Sequence, residues 1–409
     1  MRIKNLLIVL LLSAIVVLGA CSKDDGDSSS EWDNKITILQ SKVEISEQLE
    51  ELAKIYEEET GVKVEVWGTT GDDYFSQLQV RLNSNQGPSI MTLQNVMTAR
   101  QIESYIYDLS NEDMVKNLAP NMSLELDGKI VGIPYGIEGF GLVYNKDLIS
   151  PEDITDYDSF VNKLKEFKDE GINGLLLSSE AYFLIGHILN WPFSLQDDHV
   201  EFIDKLNNGE VTMAETPEFQ EFAKFMEAIR EYTVNPLDMT YDRQVGDFAT
   251  GKAAMIHQGN WVMGVLGDYE YDFEIGMLPL PLNGNDKLEV GLGGNWGVNA
   301  KKSEEEIKAA IDFLDWMHNS EIGQKYIVEE FGFVPAMTNI EASGLDPLSQ
   351  AVLDASNSGK AIQWAHNDFP SDIIPNVLAP ATEEFFLDDS LTGEDLLKLL
   401  DEAWQSAQE

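Results

Sequence analysis

The chain has 409 residues, of which 43% are hydrophobic and 24% charged, enough apolar material for a substantial core. Its 27 Lys and Arg against 72 Asp and Glu give a formal net charge of -45, which repels phosphate backbones, excludes nucleic acid as a partner and keeps a surface soluble by self-repulsion. One cysteine rules out an intrachain disulfide.

At the N-terminus, Arg2 and Lys4 precede an apolar run from Leu6 to Leu18 and small residues up to Cys21. This is the layout of an export signal, so residues 1–20 are expected to be removed as a lipoprotein signal peptide. The run is shorter than the roughly 20 residues of a spanning helix. No later stretch approaches that length, so the mature chain is expected to be soluble. Leu18-Gly19-Ala20-Cys21 resembles the bacterial lipobox, which implies acylation of Cys21 and membrane attachment through that lipid. Residues 21–34 are polar and read as a flexible tether.

Roughly 375 residues remain, a size that suits two domains better than one core. Ile36 and Ile38 alternate, Leu49, Leu52, Ala53 and Tyr56 recur at helical spacing, and Val62, Val64 and Val66 alternate again. That is a strand, helix, strand unit, with Gly61 at the helix C-cap and the two strands parallel neighbours. A helix on Phe160, Leu164 and Phe167 is closed by Gly171. Thr216-Pro217 and Ser303 with Glu306 mark two further helix starts. Short extended runs lie at 129–134, 141–144, 253–256, 273–278 and 297–299. The alternation predicts α/β architecture without internal repeats.

Five segments in order, EELAKIYEEETGVKVEV (50–66), GKIVGIPYGIEGFGLVYNKDL (128–148), FATGKAAMIHQGNW (248–261), GGNWGVNAKKSEEEIKAAIDFLDWM (293–317) and GFVPAM (332–337), resemble the family 1 extracellular solute-binding proteins, the maltose-binding-protein-like family. The GGNWGVN segment is closer in pattern to the raffinose and multiple-sugar branch. The resemblance implies a two-lobed periplasmic-binding-protein fold with hinge strands and an interlobe ligand cleft. It places residues 35–138 and 283–335 in lobe 1 and residues 139–282 and 336–409 in lobe 2, with crossings near Glu138, Gly276 to Leu282 and Pro335. It further implies a monomer that captures a sugar, an oligosaccharide by branch, and hands it to the permease of an ABC importer. The protein would then be exported and lipid-anchored to the outer face of the cell membrane, or periplasmic in a Gram-negative source.

A sugar presents hydroxyls at its rim and C–H patches on its faces, so its site needs polar groups in plane and aromatic rings above and below. Trp261, after a strand and opening a helix, stands where the family places a stacking aromatic. Asn260 beside it is either a hydroxyl partner or the helix cap. Asn295 and Trp296 sit among glycines that allow backbone to approach a ligand, with a turn before a strand as the competing role. Trp364 matches a region where relatives present another aromatic, and Trp67 ends the second strand at the carboxyl edge where open α/β sheets bind ligands. Glu138, at a crossing, can accept two hydroxyl protons; Tyr135 is cleft wall or hinge core. Glu180 and Tyr182 fall where the maltose branch has contacts. Asn95 stands in a loop where the family has an Asp, and Glu44 follows the first strand. Trp191 is undecided, while Trp316 and Trp404 read as helix packing.

An enzyme is the rival from another class, a glycoside hydrolase above all. Nothing local selects a carboxylate pair, and there is no GxSxG, HExxH, P-loop or zinc spacing. The chain is therefore read as a non-enzyme without cofactor or metal. A second rival keeps the fold and changes the ligand: anions would want Arg or helix N-termini, iron several Tyr or His, and polyamines carboxylates among aromatics.

Overall fold

The computed structural model of the chain describes residues 32–69, 71–120 and 122–408. The signal peptide, Cys21 and nearly all of the expected tether lie outside the described residues. Among these, no helix is long and apolar enough to cross a membrane.

Residues 34–409 form one compact unit. Its strands are β1 (Lys35–Gln40), β2 (Lys63–Gly68), β3 (Ile90–Leu93), β4 (Leu124–Leu126), β5 (Lys129–Pro134), β6 (Ile137–Asn145), β7 (Asn173–Leu176), β8 (Ala253–Gly259), β9 (Ile275–Leu278), β10 (Leu288–Leu292), β11 (Asn295–Val298) and β12 (Ala361–Gln363). They make two sheets, ordered β2-β1-β3-β11-β5-β4 and β12-β10-β6-β8-β7, with β9 also paired to β6. This is the mixed α/β, two-lobed arrangement that the sequence predicts.

The local signals operate as read. In the first unit β1 and β2 run parallel, Lys35 opposite Lys63. The intervening helix, Ser46–Thr60, buries Leu49, Leu52, Ala53 and Tyr56 and stops at Gly61, whose φ of 76° is left-handed. Gly171 ends the helix Tyr157–Glu170 in the same way. The Ser303 side chain accepts from the Glu306 amide at the start of Glu304–Asn319. Behind the first sheet Leu39, Tyr74, Leu78, Met91 and Val131 pack together. A larger core, including Phe160, Phe193, Phe222, Phe225, Trp191 and Trp404, fills the second lobe. Trp191 is thus core, and Trp316 packs on Tyr56 from the surface of its helix.

The crossings between lobes fall partly elsewhere than expected. The first runs from β5 to β6 through Tyr135 and Gly136, next to Glu138. The second does not lie at 276–282: β9 and β10 both pair with β6 in the second sheet, and the chain changes sheet only at Gly293 and Gly294, entering β11 between β3 and β5. Residues 336–340 remain on the first lobe, where the Ala119 amide donates to Ala336 O and Thr338 to Asn117 O. The chain regains the second sheet with the helix Pro347–Asn357, so the third crossing runs past Pro335. Strand pairing set these boundaries, and hydrophobic pattern does not say which sheet a strand joins.

Candidate functional site

Between the sheets lies a cavity of about 480 Å³, within the usual range for small-molecule sites. The loops after β1 and β3 supply Lys42, Glu44, Gln94 and Asn95 from the first lobe, and the crossings supply Glu138 and Gly293. The second lobe contributes Glu180 just before a π-helical turn, Tyr182 and Phe183 from that turn, His187 from the helix after it, Tyr241 and Asp242 from the first turn of the helix Tyr241–Ala249, and Trp261, Trp364 and His366.

The aromatic groups form one assembly. Trp364 stacks on Phe140 at 5.4 Å and on His366 at 5.2 Å, Phe183 stacks on Trp261 at 6.3 Å, and the two indoles meet edge to face at 6.5 Å. Trp261 and Trp364 are each only 8% exposed, and both line the cavity. The Trp261 ring is held by a relay: its Nε1 donates to Gln258 Oε1 at 2.8 Å, Gln258 Nε2 to Gln244 Oε1 at 2.7 Å, and Gln244 Nε2 to Leu176 O at 2.7 Å. It also folds back over Gly259, where a Cβ would stand 2.2 Å from the ring. Such a side chain is fixed before any ligand arrives, which lowers the entropy cost of binding.

The polar floor is equally built. Lys42 Nζ donates to both oxygens of Glu138 at 2.8 Å, with the side chains 13% and 1% exposed, and the ammonium lies 5.5 Å above the Trp261 ring. The carboxylate fits because Gly293 is opposite; a Cβ there would sit 1.5 Å from Glu138 Oε2. Tyr241 Oη donates to Glu44 Oε1 at 3.1 Å across the two lobes, and the Tyr241 amide donates to Glu180 Oε1 at 2.9 Å. Burial pushes the Glu44 carboxyl up against the pull of Lys42. Burial, and then the Glu44 charge, raises Tyr241 well above its ordinary value.

Burial also keeps the histidines neutral. His366 is pushed down to about 3, and His187 well below its ordinary value, by burial first and then by the neighbouring His257. His366 has its Nδ1 on Asn190 Oδ1 at 3.1 Å; because that oxygen also accepts from the His366 amide, Nδ1 carries the proton and Nε2 is left as an acceptor. Asn190 in turn donates to Glu289, which is 1% exposed and, through burial, has its carboxyl raised well above the usual range. Among the described residues, no group of three or more His, Cys, Asp or Glu could hold a metal ion.

Of the residues singled out in the sequence, Glu44, Asn95, Glu138, Glu180, Tyr182, Trp261 and Trp364 line this cavity. The other five do not. Trp67 is the next-to-last residue of β2, the edge strand of its sheet, and its ring packs under Arg81 at 4.9 Å. Trp296 is 2% exposed in β11 and packs on Tyr135 at 4.1 Å; Tyr135 bonds Thr92 through its hydroxyl, and Asn295 Nδ2 donates to Leu93 O at 3.2 Å. They form a wedge behind the crossings. Asn260 is hinge material: its Oδ1 accepts from Gly139 N at 3.0 Å and its Nδ2 donates to Ser349 Oγ at 3.0 Å and Gly332 O at 3.3 Å. Its side chain caps no helix either.

Sequence reasoning missed Lys42, Phe183, His187, Tyr241, Asp242 and His366. His366 and Lys42 stand two residues from Trp364 and Glu44, a spacing that a search of flanking residues would have reached. Tyr241 and Asp242 were marked only by Thr240, whose side chain caps their helix by accepting from Arg243 N.

Residues 51–353 match the family described as bacterial extracellular solute-binding protein. A maltooligosaccharide ABC transporter solute-binding lipoprotein of Streptococcus pneumoniae (strain ATCC BAA-255 / R6) is 24% identical over 327 residues, 75% of this chain and 74% of that one. The maltotriose-binding protein of Pyrococcus abyssi is 23% identical over 281 residues, which are 66% of this chain and 59% of that protein's length. Among solved structures, the solute-binding protein RafE in complex with raffinose superposes with a TM-score of 0.77 at 18% identity, over 92% of this chain and 100% of that one.

Proposed function

We propose that this chain, which belongs to the bacterial extracellular solute-binding family, captures an oligosaccharide in its interlobe cleft and delivers it to the permease of an ABC importer. The observation that carries the reading is the pairing of a fixed aromatic assembly, Trp261 with Trp364, with a rim of hydroxyl-binding groups in one cavity. Sugar faces meet the indoles, and sugar hydroxyls meet Glu44, Asn95, Glu180, Tyr182 and the His366 Nε2 acceptor. The names of the relatives from Streptococcus pneumoniae and Pyrococcus abyssi point the same way. In this reading the protein is a monomer held at the membrane by an acylated Cys21, and it binds its solute without transforming it. Glu138 is engaged by Lys42, and it serves the floor of the site rather than the sugar.

The test is isothermal calorimetry and thermal denaturation of residues 22–409 with a panel of neutral di- to pentasaccharides. A saturable upward shift in melting temperature with one sugar series is expected. Trp261→Ala should weaken binding at least tenfold, about 1.4 kcal/mol, with the far-UV spectrum retained. No saturable response from any sugar would remove the reading.

A further inference from the structure

The cleft is unbalanced in charge. Its lining holds four carboxylates, Glu44, Glu138, Glu180 and Asp242, and one ammonium, Lys42, and both oxygens of Glu138 occupy that ammonium. The two lining histidines are neutral for the reasons given above. The remaining three carboxylates gather around Tyr241, two bonded to its hydroxyl and amide and the third on the next residue. Among the described residues, no lysine or arginine nitrogen comes within 4.0 Å of any of them. Arg243, the cation next in sequence, turns away to Asp238 O at 2.8 Å and Asp247 at 3.6 Å. Glu180 Oε2 lies buried without a hydrogen-bond partner while its Oε1 is pinned by the Tyr241 amide. Two further lining residues, each nine-tenths buried, carry unpartnered ring nitrogens, Trp364 Nε1 and His187 Nδ1.

A buried acceptor is costly until a donor meets it, and carboxylates whose nearest ammonium is already engaged by Glu138 favour a donor that brings positive charge. Resting on the sugar-binding reading, we propose that the cleft selects oligosaccharides bearing a free amine, of the glucosamine type, with the ammonium on Glu180 Oε2 and the ring on the Trp261 and Trp364 assembly. The same field rejects uronates and other anionic sugars. Neutral sugars still bind, because a hydroxyl can also donate to Glu180. The helix Tyr241–Ala249 starts at this edge, and its amide dipoles offset part of the negative charge. The gain from the ammonium is therefore moderate, about fivefold, as for a partly screened ion pair.

The test compares, by calorimetry on residues 22–409 at 20 and 300 mM NaCl, trisaccharides of three backbones (α-1,4-gluco, β-1,4-gluco and α-1,6-galacto), each in neutral, amine and uronate form, with spermidine alongside. The expected result is that the amine form of the accepted backbone binds about fivefold tighter than its neutral parent at low salt, that high salt narrows the gap, and that the uronate does not bind. Glu180→Gln keeps an acceptor for the Tyr241 amide; amine and neutral forms should then bind that variant with equal affinity, whatever the variant loses toward the neutral sugar. Equal affinities for amine and neutral forms, or a preference that survives in Glu180→Gln, would overturn the proposal while leaving the sugar reading intact. Binding of spermidine with no sugar in any form would overturn both.

Discussion

Replacing Lys42 with methionine isolates the contribution of the cleft floor. The ammonium is bonded to both oxygens of Glu138 at 2.8 Å, and Glu138 is 1% exposed. Methionine keeps most of the apolar stem that runs beside Trp261 and Phe333 and deletes the charge. A surface pair would cost 0–1 kcal/mol. Here a carboxylate is stranded in a site closed by Gly293, and breaking a buried pair from one side costs about 3–5 kcal/mol; because Lys42 keeps some solvent contact, the lower end, about 3 kcal/mol, is expected. Urea unfolding followed by both tryptophan fluorescence and circular dichroism measures it, and coincident transitions license the comparison. In a Glu138→Gln background the same Lys42→Met change should cost less than about 1 kcal/mol, because no stranded charge remains. A loss near zero in the wild-type background, or an equal loss in both, would refute the claim that this pair is a buried one.

Two more perturbations test the supporting structure. Asn260→Ala leaves the Gly139 amide without its side-chain partner, while the Gly332 carbonyl keeps Ser349 Oγ, so unfolding free energy should fall by about 2 kcal/mol, read by the same urea melts. His257 is buried, donates from Nδ1 to Gly141 O, and is pushed down to about 4, below an ordinary value near 6.5. The unfolded chain therefore takes up a proton that the folded one refuses as pH falls from about 6.5 to 4, and stability drops across that window. His257→Gln should flatten the slope of stability against pH between 6 and 4.5 by up to about 1.4 kcal/mol per pH unit. An unchanged slope would mean that His257 titrates alike in both states. Glu289, raised in the fold by burial, has the opposite sign, gaining stability as pH falls, so the difference between variant and parent is the quantity to compare.

Local order was written in the chain itself. Period-2 and period-3.6 spacing located β1, the helix Ser46–Thr60 and β2, and Gly61 and Gly171 marked helix ends because only a residue without Cβ takes positive φ at no cost. Trp261 and Trp364 were legible as cleft aromatics from the order of segments around them. Sequence could not decide which sheet β10 joins, because strand pairing depends on partners more than a hundred residues away; β10 takes Phe140 and Gly139 of β6 as neighbours. The same reason separates Trp296 from Trp261. Both follow glycine and asparagine in similar loops, but Trp296 lies within β11, clamped between β3 and β5, whereas Trp261 stands beyond the end of β8 and lines the cavity. Lys42 and Glu138, 96 residues apart in the chain, are brought together only by the tertiary fold. Spacing along a chain fixes which face a side chain takes; what stands opposite that face is settled by the tertiary fold, and in this protein the charge and hydrogen-bonding character of the cleft depend on it.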